Sequence, residues 1–315
     1  MKNSLFRILL ATTVSSLVGI GCVNEDRDHH DPVVKLAFEP VMHAQVRADA
    51  GAEEGNSDEY SIEDHYGVSV WMLDKESSWT AEAQKADSYL EMERLVKNGN
   101  LWYPETELDW PTDRFNLSCI GFAPFEAATA CSPTEGVIFD GIDTSSDPGD
   151  LRYTEPQVDL AKSHNGGIIP LPMIPALCEV DFRVRSVSGY ESTRVYVRSI
   201  TIAGIALKGR FQSQPEPRWT LQDTEGSRLL FFEGDQEAVY TPQIVGSTRR
   251  IIPQELDGTI NVVYQFVTPA GGRLDQEEKD LPLKISLEAG RHYIFTLAVS
   301  PAGVEVIPEI PSQLE

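Results

Sequence analysis

The sequence predicts an all-β protein made of antiparallel sheets packed as sandwiches, and three observations carry that prediction. Short apolar runs alternate with polar residues at the period of a half-buried strand, as where Val180, Phe182 and Val184 interleave with Asp181, Arg183 and Arg185. Turn residues separate the runs, among them Lys97-Asn98-Gly99-Asn100, Glu288-Ala289-Gly290-Arg291 and Pro301-Ala302-Gly303. No long helical pattern alternates with the strands, which excludes a doubly wound parallel sheet.

The chain begins with a different kind of segment. Residues 1–21 carry Lys2 and Arg7, an apolar run from Leu5 through Ile20 and small residues up to Gly21, the layout of an export signal. The run is too short and too weakly flanked to be a transmembrane span. A cysteine at the cleavage point with glycine before it is what a lipoprotein signal needs, so Cys22 is the expected site of lipidation. Gly19-Ile20-Gly21-Cys22 lacks a leucine three before the cysteine, and the plainer alternative is a secretory signal in which Cys22 is incidental. Residues 22–32 are charged, have almost nothing to bury, and read as a solvated tether. His29 and His30 have the chemistry for a metal, but a wet terminal histidine run is the better reading.

Val34, Leu36 and Phe38 then alternate with Lys35, Ala37 and Glu39, as in a half-buried strand. Pro40 interrupts it, and residues 41–46 extend it as a sheet edge. From Arg47 to Gly55 the residues are small and acidic, which fits an exposed, protease-accessible loop. The order is anchor, tether, strand, cuttable loop.

A chain of 315 residues is long enough for two domains with separate cores. Its net charge of −23 grows more negative by two when Lys2 and Arg7 leave with the signal; such a field repels phosphate backbones, so nucleic acid is not an expected partner. No second apolar run approaches membrane-spanning length, so attachment rests on Cys22 alone. Of the remaining cysteines, Cys119 and Cys131 are closest in sequence and are the pair an exported chain would oxidise; three buried free thiols, Cys178 included, is the equal alternative.

Along the chain, residues 66–73 form a strand, and 89–96 with 101–103 form a hairpin around Asn98-Gly99-Asn100, although 81–96 is also compatible with a helix. The aspartates of residues 140–150 match no EF-hand spacing and read as a solvated loop. Residues 166–175, apolar and broken by Pro170, Pro172 and Pro175, suit a domain crossing. Beyond them at least seven strands follow, around residues 180–184, 195–207, 229–232, 260–267, 281–287, 293–299 and 304–310. There is no strict internal repeat, only the same architecture suggested twice. The boundaries expected are a signal at 1–21, a tether at 22–32, and two sandwich domains at 33–175 and 176–315.

Motifs for chemistry are absent. There is no nucleophile elbow, paired-histidine zinc helix, phosphate loop or dinucleotide fingerprint, and the histidines are scattered. No catalytic residue, metal ligand or cofactor is expected. The five tryptophans would make a sugar-stacking platform only if exposed; in sandwiches they more often pack inside.

Several stretches together resemble the fimbrillin family of Bacteroidales, the subunits of type V pili, including the Mfa-like branch. Residues 66–73 resemble its first core strand, and Asn98-Gly99-Asn100-Leu101-Trp102-Tyr103 followed by Asp109-Trp110-Pro111 resembles its hairpin and tryptophan-proline step. Phe115 to Pro124 and Asp150-Leu151-Arg152-Tyr153 match its later segments in part. In the second half, Ala176-Leu177-Cys178-Glu179-Val180-Asp181-Phe182, Ile251-Ile252-Pro253-Gln254 and residues 287–297 resemble its strands and steps. The resemblance spans roughly residues 22–310. It implies two transthyretin-like antiparallel β-sandwich domains in tandem, on a surface lipoprotein of the outer membrane and fimbrium, held by outer-membrane lipid through acylated Cys22. It also implies that an arginine-directed protease cuts after Arg47 and removes the strand bearing Val34, Leu36 and Phe38; Arg27 is a rival site that would leave that strand in place. A neighbouring fimbrial subunit's terminal strand then fills the vacated groove by strand addition. Stalk, anchor and tip subunits share this family, and a host or bacterial surface ligand is a further expected partner. The alternative is a monomeric surface lipoprotein that binds glycan or host protein; a hydrolase built from scattered carboxylates is a distant third.

Overall fold

The computed structural model describes residues 33–42, 65–187, 194–222, 227–268 and 270–314. The signal, the tether, Cys22, Arg27, His29, His30 and Arg47 lie outside the described residues. In the first half the strands are β1 (Ala37–Met42), β2 (Gly67–Asp74), β3 (Asp87–Asn98), β4 (Leu101–Pro104), β5 (Phe115–Ala123), β6 (Ala130–Ser132), β7 (Gly136–Asp143), β8 (Arg152–Tyr153), β9 (Gln157–Leu160) and β10 (Ile168–Pro175). In the second they are β11 (Cys178–Ser186), β12 (Arg194–Ala203), β13 (Lys208–Gln212), β14 (Arg218–Gln222), β15 (Arg228–Glu237), β16 (Gln243–Ile251), β17 (Gln254–Val267), β18 (Arg273–Leu287), β19 (Arg291–Ser300), β20 (Gly303–Pro308) and β21 (Ser312–Gln313). A single turn of helix, α1 (Trp79–Glu82), sits between β2 and β3.

The architecture follows the alternation. The expected hairpin forms as β3 and β4, with Asn98 opposite Leu101 and Gly99 taking the left-handed φ of +66° that the turn demands. In the second half the apolar members of β11, β12, β17 and β19 face one another across two sheets, ordered β16-β11-β19-β20 and β15-β12-β17-β18. Between them lies a core that includes Phe182, Phe231, Ile260 and Phe295.

The first half is arranged differently. Its strands run in the order β2-β3-β4-β1-β10-β8-β5-β9, and β2 also pairs with β5 along their full length. That extra pairing closes β2, β3, β4, β1, β10, β8 and β5 into a circuit around a core of Leu36, Phe38, Val68, Val70, Leu117, Cys119, Ile169 and Leu171. A third core, with Trp71, Phe139, Leu177, Phe211 and Ile252, draws on residues from both sides of position 175. There β7 pairs with β13, Phe139 opposite Phe211, in the sheet β14-β13-β7-β6.

The sheets are antiparallel as expected, apart from two parallel pairings, β1 on β10 and β11 on β19. In each half the first strand pairs with a much later one, and the intervening chain supplies the long crossover that a parallel pair requires. The proline-punctuated stretch is not a bare crossing but strand β10, the partner of β1. Cys119, Cys131 and Cys178 are free thiols, so the expected Cys119–Cys131 bridge is absent. Cys119 points into the circuit core with Val68 and Val70, whereas Cys131 packs with Trp71 and Ile120 on the other face of the β2–β5 sheet. Burial pushes the Cys131 and Cys178 thiols up to about 12 and raises that of Cys119 as well.

Candidate functional site: the slot held by β1

The segment that includes Val34, Leu36 and Phe38 closes the circuit. Leu36 and Phe38 are fully buried, and Val34 and Met42 pack half-buried against the same core. Lys35 and Glu39 point to solvent as the sequence alternation expects, and Val41 does too, but Ala37, expected on that side, is buried. Phe38 lies opposite Ile169, Pro40 opposite Leu171, and Met42 opposite Met173 along the parallel ladder with β10.

The expected edge position is not what the strand occupies. On its other flank Phe38 pairs with Trp102 of β4, and Lys35 bridges to Asp109. Leu36 N donates to Leu108 O at 2.9 Å, and Trp110 N donates to Val34 O at 2.8 Å. β1 is therefore a stave between β4 and β10, not a rim strand.

The prolines explain how one strand serves both flanks. Residues whose side chains share a face also turn their N–H and C=O groups to the same flank. Val34 and Leu36 face the segment 108–110, so the even-numbered residues, Pro40 included, turn that way. Ala37, Glu39 and Val41 then face β10, and the offset of a parallel ladder turns Ile169, Leu171 and Met173 back toward them. Pro40, Pro170 and Pro172, which have no N–H, are paired in the β1–β10 register but sit where the main chain turns away from that ladder's hydrogen bonds. On the β4 flank, pairing stops at Phe38, just before Pro40.

Two tryptophans wall the slot. Trp102 meets Tyr66 edge-to-face at 5.8 Å and carries the Lys97 ammonium 4.8 Å above its ring. Trp110 Nε1 donates to Gly167 O at 2.7 Å. Gly167 sits at φ +87°, and a Cβ there would collide with Val34 Cγ1, so the strand's entry requires glycine. At the far end Arg152, buried on β8, donates through Nε to Asp150 Oδ2 at 2.7 Å and through Nη1 to Met42 Sδ at 3.2 Å.

A second polar cluster lies on the outer face of the β16-β11-β19 sheet. His292 Nε2 lies 2.8 Å from Asp181 Oδ2, and Arg250 stands 3.4 Å from Glu179 and 3.2 Å from Asp147. The hydrogen bond to Asp181 raises the His292 pKa, and burial raises that of Glu179 against the pull of Arg250. This is an ion-pair network without a nucleophile, and among the described residues no group of three acidic, cysteine or histidine side chains is placed to hold a metal. Trp71, Trp79, Trp102 and Trp110 are all buried and only Trp219 is part-exposed, so the tryptophans make no platform.

Sequence reasoning identified Val34, Leu36 and Phe38 but missed Met42, Trp102, Trp110, Gly167 and Arg152. The signal for β10 was present in the spacing of Ile169, Leu171 and Met173; the prolines between them masked it.

No family model and no curated protein sequence matches the chain. Solved structures do. A fimbrial protein from Bacteroides vulgatus superposes with a TM-score of 0.67 at 14% identity, over 87% of this chain and 98% of the other. Putative cell adhesion proteins from Bacteroides ovatus and Bacteroides uniformis give 0.54 and 0.53 at 12% and 11% identity, each over 90% of this chain and 99% of theirs. The order of sheets described above is thus the fold of these Bacteroides fimbrial and adhesion proteins, shared along nearly the whole chain.

Proposed function

We propose that this protein is a structural subunit of a cell-surface fimbria, in its stalk or as an accessory or tip component, and that β1 holds a slot for a strand of a neighbouring subunit. In this reading Cys22 carries the lipid that tethers the precursor to the outer membrane, and cutting after Arg47 frees the segment bearing Val34, Leu36 and Phe38. The chain divides near Pro175, with the Phe139–Phe211 core as the seam between its halves.

The observation that carries the reading is the closure of the circuit by one six-residue strand, with Arg47 five positions beyond it in the sequence. Withdrawing it bares a row of unpaired main-chain groups on β10, a shorter one near β4, and an apolar trough between them, a template for strand addition. The C-terminal segment has the makings of an occupant. Val304, Val306, Pro308 and Ile310 repeat the apolar spacing of Leu36, Phe38, Pro40 and Met42, proline included. Among the described residues β20 pairs with β19, with Val304 and Val306 packed on the core of its own half, while Ile310 stands almost fully exposed. The alternative, a monomeric surface lipoprotein that binds glycan or host protein, loses the aromatic platform of its glycan form because four of the five tryptophans are buried.

The test is to treat the purified precursor with an arginine-specific protease. A fragment beginning at Ala48 should form multimers on a sizing column, and emission from Trp102 and Trp110 should shift as the slot empties and recover as it refills. A cut chain that stays monomeric with residues 33–47 still bound overturns the reading.

A further inference from the structure

The far end of the slot has a chemistry unlike the rest of it. Leu36 and Phe38 meet only apolar walls, but the side chain at position 42 meets a guanidinium. The two registers place that group: Met42 lies opposite Met173 on β10, and Arg152 of β8 lies opposite Pro175, two residues further along and on the same face. Arg152 is nine-tenths buried, and its charge is partly answered by Asp150 at 2.7 Å. Its Nη1 donates to the Met42 thioether, a weak acceptor.

We propose that Arg152 is a specificity subsite that reads the residue at position 42 of whichever strand fills the slot, admitting neutral or acidic side chains and rejecting lysine or arginine. The inference rests on the strand-exchange reading above and names the kind of strand it takes: apolar at alternate positions and free of cations at its trailing end. A guanidinium that is nine-tenths buried and held by Asp150 and the Met42 thioether is poorly screened from an incoming ammonium, and a like charge placed there is the repulsive half of specificity. A carboxylate, by contrast, gains a charge-assisted hydrogen bond in place of a weak one. The occupant this favours is a second copy of the chain, because residues 303–314 contain Glu305 and Glu309 but no lysine or arginine.

The experiment is a double-mutant cycle in the full-length chain, read by amide hydrogen exchange of residues 169–173 beside β1. Met42→Lys is expected to speed that exchange at least tenfold over the native chain, and Met42→Glu to leave it unchanged or slow it. In an Arg152→Gln background the gap between the two should shrink to under about threefold. A gap that persists without Arg152, or a Met42→Lys chain as protected as the native one, overturns the proposal. Asp150→Asn supplies a second check: it should widen the gap, because it removes the charge that offsets Arg152, and a narrowed gap counts against it. Multimers after Arg47 cutting without this coupling would leave strand exchange standing and remove the subsite; coupling without multimers would do the reverse.

Discussion

Phe38→Ala tests whether β1 is a removable strand or an inseparable part of its core. Phe38 is fully buried, and its ring faces Ile169 and Trp102 inside the closed circuit. Truncating such a phenylalanine removes the transfer term and leaves a cavity, at a cost of about 3–5 kcal/mol. If β1 opens on its own, that cost falls on the local opening equilibrium and not on the whole fold. At about 1.4 kcal/mol per tenfold, exchange of the Ile169, Leu171 and Met173 amides should rise between a hundredfold and a few thousandfold. Those amides report because the parallel ladder turns them toward β1. Amides of β12 and β17, in the other sandwich, should keep their native rates. Hydrogen exchange with mass spectrometry resolves the two groups. Uniform acceleration across both, or none beside β1, would refute the argument, for β1 would then unfold only with everything else.

Two further outcomes follow from buried polar groups. Gln254 accepts from Ala206 N at 2.8 Å and donates to the carbonyls of Ala206 and Ile252 at 3.0 and 2.9 Å, so Gln254→Ala orphans buried main-chain groups and should cost on the order of 3 kcal/mol in a denaturant titration. An unchanged midpoint would show that Gln254 is dispensable. His292 titrates above its ordinary 6.5, so the stability it adds is complete below that value and is lost as pH rises through the raised one; Glu179, raised from 4.5, has the same sign. The melting temperature should therefore fall as pH rises above about 6.5, and His292→Gln should flatten that slope.

How far the fold could be read from the sequence depended on whether a strand has one wet face. β11 and β12 were legible because Val180, Phe182 and Val184, and Val195, Val197, Ile200 and Ile202, face the core between polar neighbours, whereas β19, buried throughout from Phe295 to Val299, was legible as an apolar run. β18 was legible only over residues 281–287. Its first eight residues, Arg273 to Asp280, are exposed throughout and pair with β17 over a surface that buries nothing of theirs, so no period marks them. β16 fails for another reason: Gly246 at φ +74° and a register shift against β11 break its alternation. The slot was half legible. Leu36 and Phe38 announce themselves by period, but the partner of β1 lies about 130 residues away under three prolines, and no local signal links the two. Gln254 was noticed only as part of a motif; its work, clamping the main chain at Ala206, is visible only in three dimensions.

The change from edge to stave alters what strand exchange has to accomplish. An edge strand can be replaced by simple addition, and any exposed edge with alternating side chains is then a competitor. A stave leaves a gap with two unlike sides. β10 offers donors at Ile169, Leu171 and Met173 along the full length, whereas the β4 side offers pairing only near Trp102 and the segment 108–110. A strand entering backwards or one residue out of register would turn its apolar face to solvent or present side chains to the wrong wall. One of the long sheet-end strands among the described residues is guarded by charge: β18 carries Asp275, Glu277, Glu278 and Asp280, a placement that resists sheet pairing between copies. Under the proposed strand exchange, the gap left by β1 would be apolar, glycine-gated and arginine-ended, and growth from it would be directional because that gap and the C-terminal tail proposed to fill it belong to different halves of the molecule.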